Sequence, residues 1–472
     1  MTKSDSSSLL LNDNAIDEKW SAADSGNVAN MLDGRTIPTA PGALPLVGHA
    51  IPLLRNPLAF LATLPRYGNL VRIGVGPYRM LVLCDADLTR EVLVDDRTFD
   101  KGGLLVERGR EVVGDGVGTC PHGEHRSQRR LTQPAFGRGR FPGYAAVMAT
   151  QAEAMATRWT EGTVIDVLAE MLRMTCATVA HTMVSGNALD ERTRGQIIDD
   201  LAVVLQNIYR RMFIPPPLDR VPTRGKLRYD RARTRLRGTL AELIADYRTD
   251  GVDHGDMLSM LIRSSDEDRT LTDDQVHDQI VTLFLAGTES TAAVLAWCWH
   301  TLGQRPELEK RLWNEVDAIP ADRLPVWEDM PNLAFANSLA TESLRMYPPG
   351  WLFTRVTTER TMLAGYAIPK GATVAYSPHL LQNSELFTAP EQFDPERWAP
   401  ERASELPRNG FLAFGGGARK CLGDVFALTE ATLALAVIAR RWQLRPITDR
   451  PVRTIVDTTL RPRGLEMRVE AR

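Results

Sequence analysis

The stretch Phe414-Gly415-Gly416-Gly417-Ala418-Arg419-Lys420-Cys421-Leu422-Gly423 constrains this chain more than any other. Three glycines precede a single cysteine, and the periodicity after it predicts a long apolar helix from Asp424 to roughly Trp442. Glycines let a backbone come close to a flat ligand and take turns that a Cβ resists. A cysteine at a helix start feels the positive end of the dipole, which favours the thiolate. Free amides there can point at the sulfur and tune its donor strength. Arg419, two residues earlier, is a cation placed for an anionic edge of the same ligand. With no second cysteine or histidine nearby, the thiolate does not suit zinc. It suits an axial position on haem iron, where sulfur pushes electron density onto the metal and favours O–O cleavage. The plainer alternative is an inert buried thiol, the usual state of an intracellular cysteine.

The stretch resembles the haem-binding loop of the cytochrome P450 monooxygenases. That pattern is Phe, two residues, Gly, one residue, Arg or His, one residue, Cys, and Phe414, Gly417, Arg419 and Cys421 fill it. Gly415 and Gly423 fall inside the same loop as expected cofactor contacts.

The rest of the chain bounds the fold. With 472 residues and 43% hydrophobic content, it can bury a large core. A net charge of −3 gives no overall pull toward nucleic acid. The five cysteines are odd in number and form no CxxC pair, which reads as a reduced, cytoplasmic chain. Leu9 to Leu11 is too short an apolar run for a signal-peptide core or a membrane span. Residues 1–35, rich in Ser, Asp and Asn, are expected to be disordered. Residues 36–472 are expected to form one domain, since no Gly/Ser linker interrupts them.

Helical periodicity dominates near 56–67, 86–95, 122–133, 142–159, 165–185, 190–212, 228–248, 273–302, 306–317 and 334–346. Strand-like runs fall at 70–75, 80–83, 352–358, 362–368 and 372–376. Strands and helices do not alternate, so the fold class is mainly α with small β-sheets rather than doubly wound. Leu104 to Gly118 lacks a clear period and reads as a mobile, pocket-facing loop. Pro41 to His49 is rigid and proline-punctuated, and is similar to the N-terminal segment of the same family.

Further motifs extend the resemblance to about residues 38–472. His125 and Arg129, four apart, share a helical face. They match the family's propionate-holding pair, and Arg355 matches another propionate-binding arginine. Gly287 in mid-helix costs about 1 kcal/mol against alanine and asks for a reason, such as a close flat ligand. It stands in Ala286-Gly287-Thr288-Glu289-Ser290-Thr291, which is similar to the family's oxygen-activation motif. Ser290 takes the place usually held by threonine, and Thr291 follows. A hydroxyl in a helix can bond a carbonyl one turn back and open a groove, beside which Glu289 could pass protons inward. Glu342 and Arg345 match the Glu-x-x-Arg pair, and Arg397 the arginine that completes its ion network. Asp273, Asp274 and Asp278 superficially look like a magnesium cluster, but the macrodipole suffices to explain acids at a helix start.

The resemblance implies haem b and insertion of one oxygen atom from O2. Electrons would come from NAD(P)H through ferredoxin and ferredoxin reductase, with a monomer expected. The exposed-looking Arg126, Arg130, Arg138 and Arg140 could dock the acidic donor. Leu104, Leu105, Phe213, Phe284, Trp351, Leu352, Phe353 and Leu460 are expected to line an apolar pocket for a small lipophilic substrate. The wording of "FDKGG" and "CLGDVFALTE" looks like bacterial terpene hydroxylases of the family. A cyclic sesquiterpene is therefore the expected substrate. Fatty-acid hydroxylation stays open, with Arg108, Arg210 or Arg211 for a carboxylate, and so does a non-catalytic haem carrier or sensor.

Overall fold

The computed structural model describes residues 36–184, 190, 192–193, 195–197, 199–200, 203–204, 221–266, 269–447 and 451–472. The N-terminal 1–35, Phe213, Arg210 and Arg211 lie outside the described residues, as does most of the helix expected at 190–212.

One helix organises the rest. Asp273–Gln304 (the central helix) opens with a reciprocal cap between Thr272 and Gln275, which satisfies two orphan donors. Asp273 and Asp274 in its first turn meet Arg248 and Arg237, and Asp278 accepts the Asp115 N–H at 3.0 Å. Among the described residues no acidic or thiol cluster is arranged to hold a metal ion. The helix is buried on most sides, which its apolar composition requires. It is long and apolar enough to cross a membrane, yet two thirds of its apolar window is enclosed by protein. Helices Val167–Met183, Arg224–Asp250, Ala334–Met346 and Asp424–Ala439 pack around it.

Asp424–Ala439 (the cysteine helix) is buried almost continuously from Thr429 to Ala439. It stops short of the expected Trp442 because Trp442–Pro446 leaves as a strand that pairs with Glu466–Ala471. A five-stranded sheet lies to one side. Its order is Leu70–Val75, Tyr78–Leu83, Thr373–Tyr376, Phe353–Thr357, Phe99–Lys101. Two further expectations change. Leu104–Val113 is a helix, not a loop. The run at 362–368 is a hairpin of Thr361–Leu363 and Tyr366–Ile368, turned by Ala364 and Gly365 at positive φ. The short strands Arg453–Val456 and Leu460–Arg463 gave no period in the sequence.

Behind the cysteine loop sits the expected ion network. Arg345 donates to both carboxylate oxygens of Glu342 at 2.9 and 2.8 Å, and both side chains are wholly buried. Trp398 Nε1 and the Asp394 N–H also donate to Glu342, at 2.9 and 3.0 Å. Arg397 Nε lies 3.5 Å away and its guanidinium bonds the Thr388 carbonyl. Every lone pair of the buried acid is therefore addressed, the condition under which such a group is tolerated.

Candidate active site

A cavity of about 600 Å³ lies between the central helix, the cysteine loop and the five-stranded sheet. Cys421 opens into it, and its N–H donates to the Phe414 carbonyl at 2.9 Å, closing the loop on itself. Gly415 and Gly417 have positive φ, 68° and 64°, which only glycine takes without strain. A Cβ on Gly417 would meet the Leu93 carbonyl oxygen at 2.0 Å. That glycine therefore serves the close approach of helix Ala86–Val94, while Gly415, Gly423 and Phe414 face the cavity. Cys421 is exposed, but to the cavity. Burial pushes its thiol up, against the opposing pull of the Gly423 N–H, Arg129 and Lys420. In the bare chain, desolvation thus outweighs the helix start that was expected to favour the thiolate. A coordinated metal reverses this, because it deprotonates a thiol outright.

Cations crowd the cavity rim. Arg355, 2% exposed, has Nε and Nη1 buried without a hydrogen-bond partner. Beside it are Arg419, His125 and Lys101, all on the cavity wall. Burial pushes His125 down to about 3, with Arg419 and Arg129 adding to the effect. Burial likewise pushes Lys101 down to about 7, with Arg355 and Arg419 adding. Arg419 is partly compensated, donating to Asp100 at 2.7 Å and to the Cys120 carbonyl at 2.8 Å. Arg129 bonds the Lys420 carbonyl at 2.6 Å and so braces the cysteine loop as well as facing the cavity. An orphaned buried guanidinium among further cations, in the same cavity as a thiol, fits the carboxylates of a haem whose iron Cys421 would hold.

The central helix supplies the facing wall with Ala286, Gly287, Glu289, Ser290 and Thr291. Ser290 Oγ donates to the Ala286 carbonyl at 2.6 Å, the backbone bond expected of a helical hydroxyl. Gly287 is on the cavity wall, and a Cβ there would come within 3.1 Å of the Val179 side chain. Glu289 is raised by burial and by Asp457, and Thr458 Oγ1 donates to it at 3.2 Å.

Of the expected pocket lining among the described residues, only Phe353 is on the wall. Phe284 is buried in the helical core instead. Trp351 and Leu352 pack on the cluster around Leu61 and Leu64, and Trp351 Nε1 donates to the Asp457 carbonyl. Leu460 is fully buried in its strand. Leu104 and Leu105 start a helix whose far end, Gly109 and Val113, reaches the cavity in their place. Val113, Val117, Val179, Met183, Leu283 and Val294 make up much of the apolar wall.

The sequence reading missed Lys101, Thr458, Thr459 and Glu430. Lys101 stood in the noted "FDKGG" without a role. Glu430, in the cysteine helix, is 1% exposed and neither carboxyl oxygen has a hydrogen-bond partner. The Thr178 and Thr291 hydroxyls face it at the edge of hydrogen-bond geometry and are likewise unpartnered. Burial pushes Glu430 up to about 8.

A thiol, a cationic rim in the same cavity and an acid–alcohol pair on an apolar wall are the features of a haem-thiolate protein. The chain belongs to the cytochrome P450 family, whose model matches residues 38–468. It is 44% identical over 437 residues to pentalenene oxygenase of Streptomyces avermitilis, spanning 92% of this chain and 97% of that one. It is 42% identical over 438 residues to cyclooctatin synthase of Streptomyces melanosporofaciens, spanning 92% and 95%. It is 43% identical over 416 residues to cyclooctat-9-en-7-ol 5-monooxygenase of the same organism, spanning 87% and 90%. The crystal structure of the cytochrome P450DA heme domain superposes with a TM-score of 0.83 at 25% identity, covering 92% of this chain and 97% of that one. The chain is accordingly a monooxygenase of this family, which uses haem b and electrons from NAD(P)H passed through redox partners.

Proposed function

We propose that this monooxygenase hydroxylates an olefinic cyclic terpene, a sesquiterpene hydrocarbon, at an allylic carbon or methyl group. The apolar wall facing Cys421 carries the reading. Val113, Val117, Val179, Met183, Leu283 and Val294 offer a hydrocarbon area to bury, away from the cations of the rim that suit the haem carboxylates. The names of the similar Streptomyces proteins, pentalenene oxygenase and cyclooctatin synthase, point the same way. Arg108, considered as a carboxylate holder for a fatty acid, is occupied by Glu111 at 2.8 Å.

The bound haem supplies O2 activation and insertion of one oxygen atom. Arg355, Lys101, His125 and Arg419 hold its carboxylates, and Cys421 its iron. Glu289 and Ser290 move protons inward along the central helix, with Ser290 Oγ leaving the Ala286 carbonyl to do so. Arg126, Arg130, Arg138 and Arg140, all exposed, dock an acidic ferredoxin that a ferredoxin reductase reduces. Residues 36–472 act as one domain and as a monomer, which sedimentation checks.

The test is a titration of the optical spin-state shift with pentalenene, related cyclic sesquiterpenes and C12–C16 fatty acids, at low and high salt. Terpene affinity should follow buried apolar area, at about 25 cal/mol per Å², and ignore salt. Tight, salt-sensitive fatty-acid binding with no response to terpenes overturns the substrate. Reversing two of the four arginine charges should slow the first electron transfer at low ionic strength, and an unchanged rate removes the docking patch.

A further inference from the structure

Glu289 takes its partners from a segment 169 positions further along the chain. The turn Asp457 to Arg461 wraps its carboxylate. Thr458 Oγ1 donates to Oε2 at 3.2 Å, and Arg461 Nε lies 3.7 Å from Oε1. Arg461 is more tightly committed to Asp457, at 2.5 Å from Nη2 to Oδ2 and 3.3 Å from Nε to Oδ1. Two carboxylates therefore share one guanidinium, and Glu289 has the weaker claim.

The turn is strapped down on three sides. The Leu460 N–H donates to the Pro349 carbonyl at 3.0 Å, and Trp351 Nε1 to the Asp457 carbonyl at 2.8 Å. Trp297 Nε1, from the central helix itself, donates to the Leu460 carbonyl at 3.4 Å. Arg461 is 28% exposed and Glu289 15%, so the bracket runs from solvent to the cavity wall.

From this geometry we infer that the Asp457–Arg461 turn positions Glu289 and, through the competition of Asp457 for Arg461, leaves Glu289 free to take up and release a proton. Were Arg461 paired with Glu289 alone, the acid would be held as carboxylate and give up no proton. Without Arg461, Glu289 and Asp457 would repel, and the proton would be held too tightly. The raised proton affinity of Glu289, due first to burial and then to Asp457, agrees with this balance. Among the described residues, Cys176, from helix Val167–Met183, also senses Glu289, and Asp166 acts on Arg461. The proton passed inward comes from solvent at the Arg461 edge, and Glu289 returns to carboxylate until it is refilled. Arg461, Asp457 and Thr458 are positioning residues, and the inference rests on the proton role proposed above for Glu289.

The test reads Glu289 directly. In the holoenzyme, the infrared carbonyl band of the protonated carboxyl is titrated against pH as the difference from Glu289→Gln. Asp457→Asn should lower the midpoint by about one pH unit, and Arg461→Gln should raise it by about one. Arg461→Lys should keep the midpoint close to that of the wild type, and Thr458→Val should broaden the band by freeing the carboxyl's orientation. Product formed per NAD(P)H should follow the same two shifts in its pH profile and lose them in the Glu289→Gln background. An infrared midpoint that neither Asp457→Asn nor Arg461→Gln moves overturns the inference, even if Glu289→Gln uncouples the enzyme. A midpoint that moves while Glu289→Gln leaves product per NAD(P)H unchanged supports the turn's control of Glu289 and removes the proton role instead.

Discussion

Glu430 offers the sharpest test of the packing behind the active site. Its carboxyl is fully enclosed by the cysteine helix, the central helix and Val167–Met183, and is pushed up from 4.5 to about 8 by burial. A carboxyl whose folded-state pKa exceeds its unfolded value binds a proton on folding. Its contribution is thus fully present below about pH 4.5 and is lost as pH rises toward about 8. Each pH unit inside that window is worth about 1.4 kcal/mol. Glu430→Gln keeps the shape and removes the ionisation. The free energy of unfolding of the variant should therefore gain on the wild type by ~3 kcal/mol between about pH 5.5 and about pH 8.5. Denaturant titrations of both proteins across that range give the difference, in which all other titrating groups cancel. A gap that does not change with pH would mean that Glu430 is ionised and paired at neutral pH, and the reading of an isolated buried acid would fail.

Three further outcomes follow from the site. Cys421→His should still take up haem but lose the strongly red-shifted band of the ferrous carbonyl complex, and a variant that keeps the band removes the thiolate assignment. Ser290→Ala should leave the substrate-induced spin-state shift nearly intact while several-fold more of the reducing equivalents leave as hydrogen peroxide. Unchanged product per NAD(P)H would move the hydroxyl role to Thr291. Lys101, at about 7 in the bare chain, should be raised by a haem carboxylate, so haem uptake by the apo-protein binds a proton and weakens as pH rises above 7. Soret titrations at several pH values should show that slope in the wild type and a flatter one in Lys101→Met. Equal slopes would place Lys101 away from the carboxylates.

The parts of the site legible in the sequence are those whose geometry is local. Glu342 and Arg345 are three apart on a helix, so their spacing alone puts them in contact. The glycine loop and Cys421 share ten residues and a helix start, and Glu289 and Ser290 adjoin on one helix. What escaped are groups whose partners are far along the chain. Lys101 reaches the cationic rim because its strand pairs with the one carrying Arg355, 254 positions on. Thr458 and Arg461 meet Glu289 only because three hydrogen bonds strap their turn to Pro349, Trp351 and Trp297.

By itself, then, the sequence determined the helical class and placed Cys421 in its glycine loop and Glu289 beside Ser290, since periods and short spacings are properties of a segment. Only the tertiary structure decided which apolar side chains face the cavity. Phe284 and Leu283 are neighbours of equal hydrophobicity in one helix. The rotation imposed by packing against the surrounding helices puts Leu283 on the wall and Phe284 in the core. The same packing decided the state of the buried acids. Glu342 is met by Arg345, Arg397 and Trp398, the last two brought from far along the chain, and Glu430 by two threonines alone. A carboxyl's charge depends on what desolvates it and what answers it, and both are set by the fold.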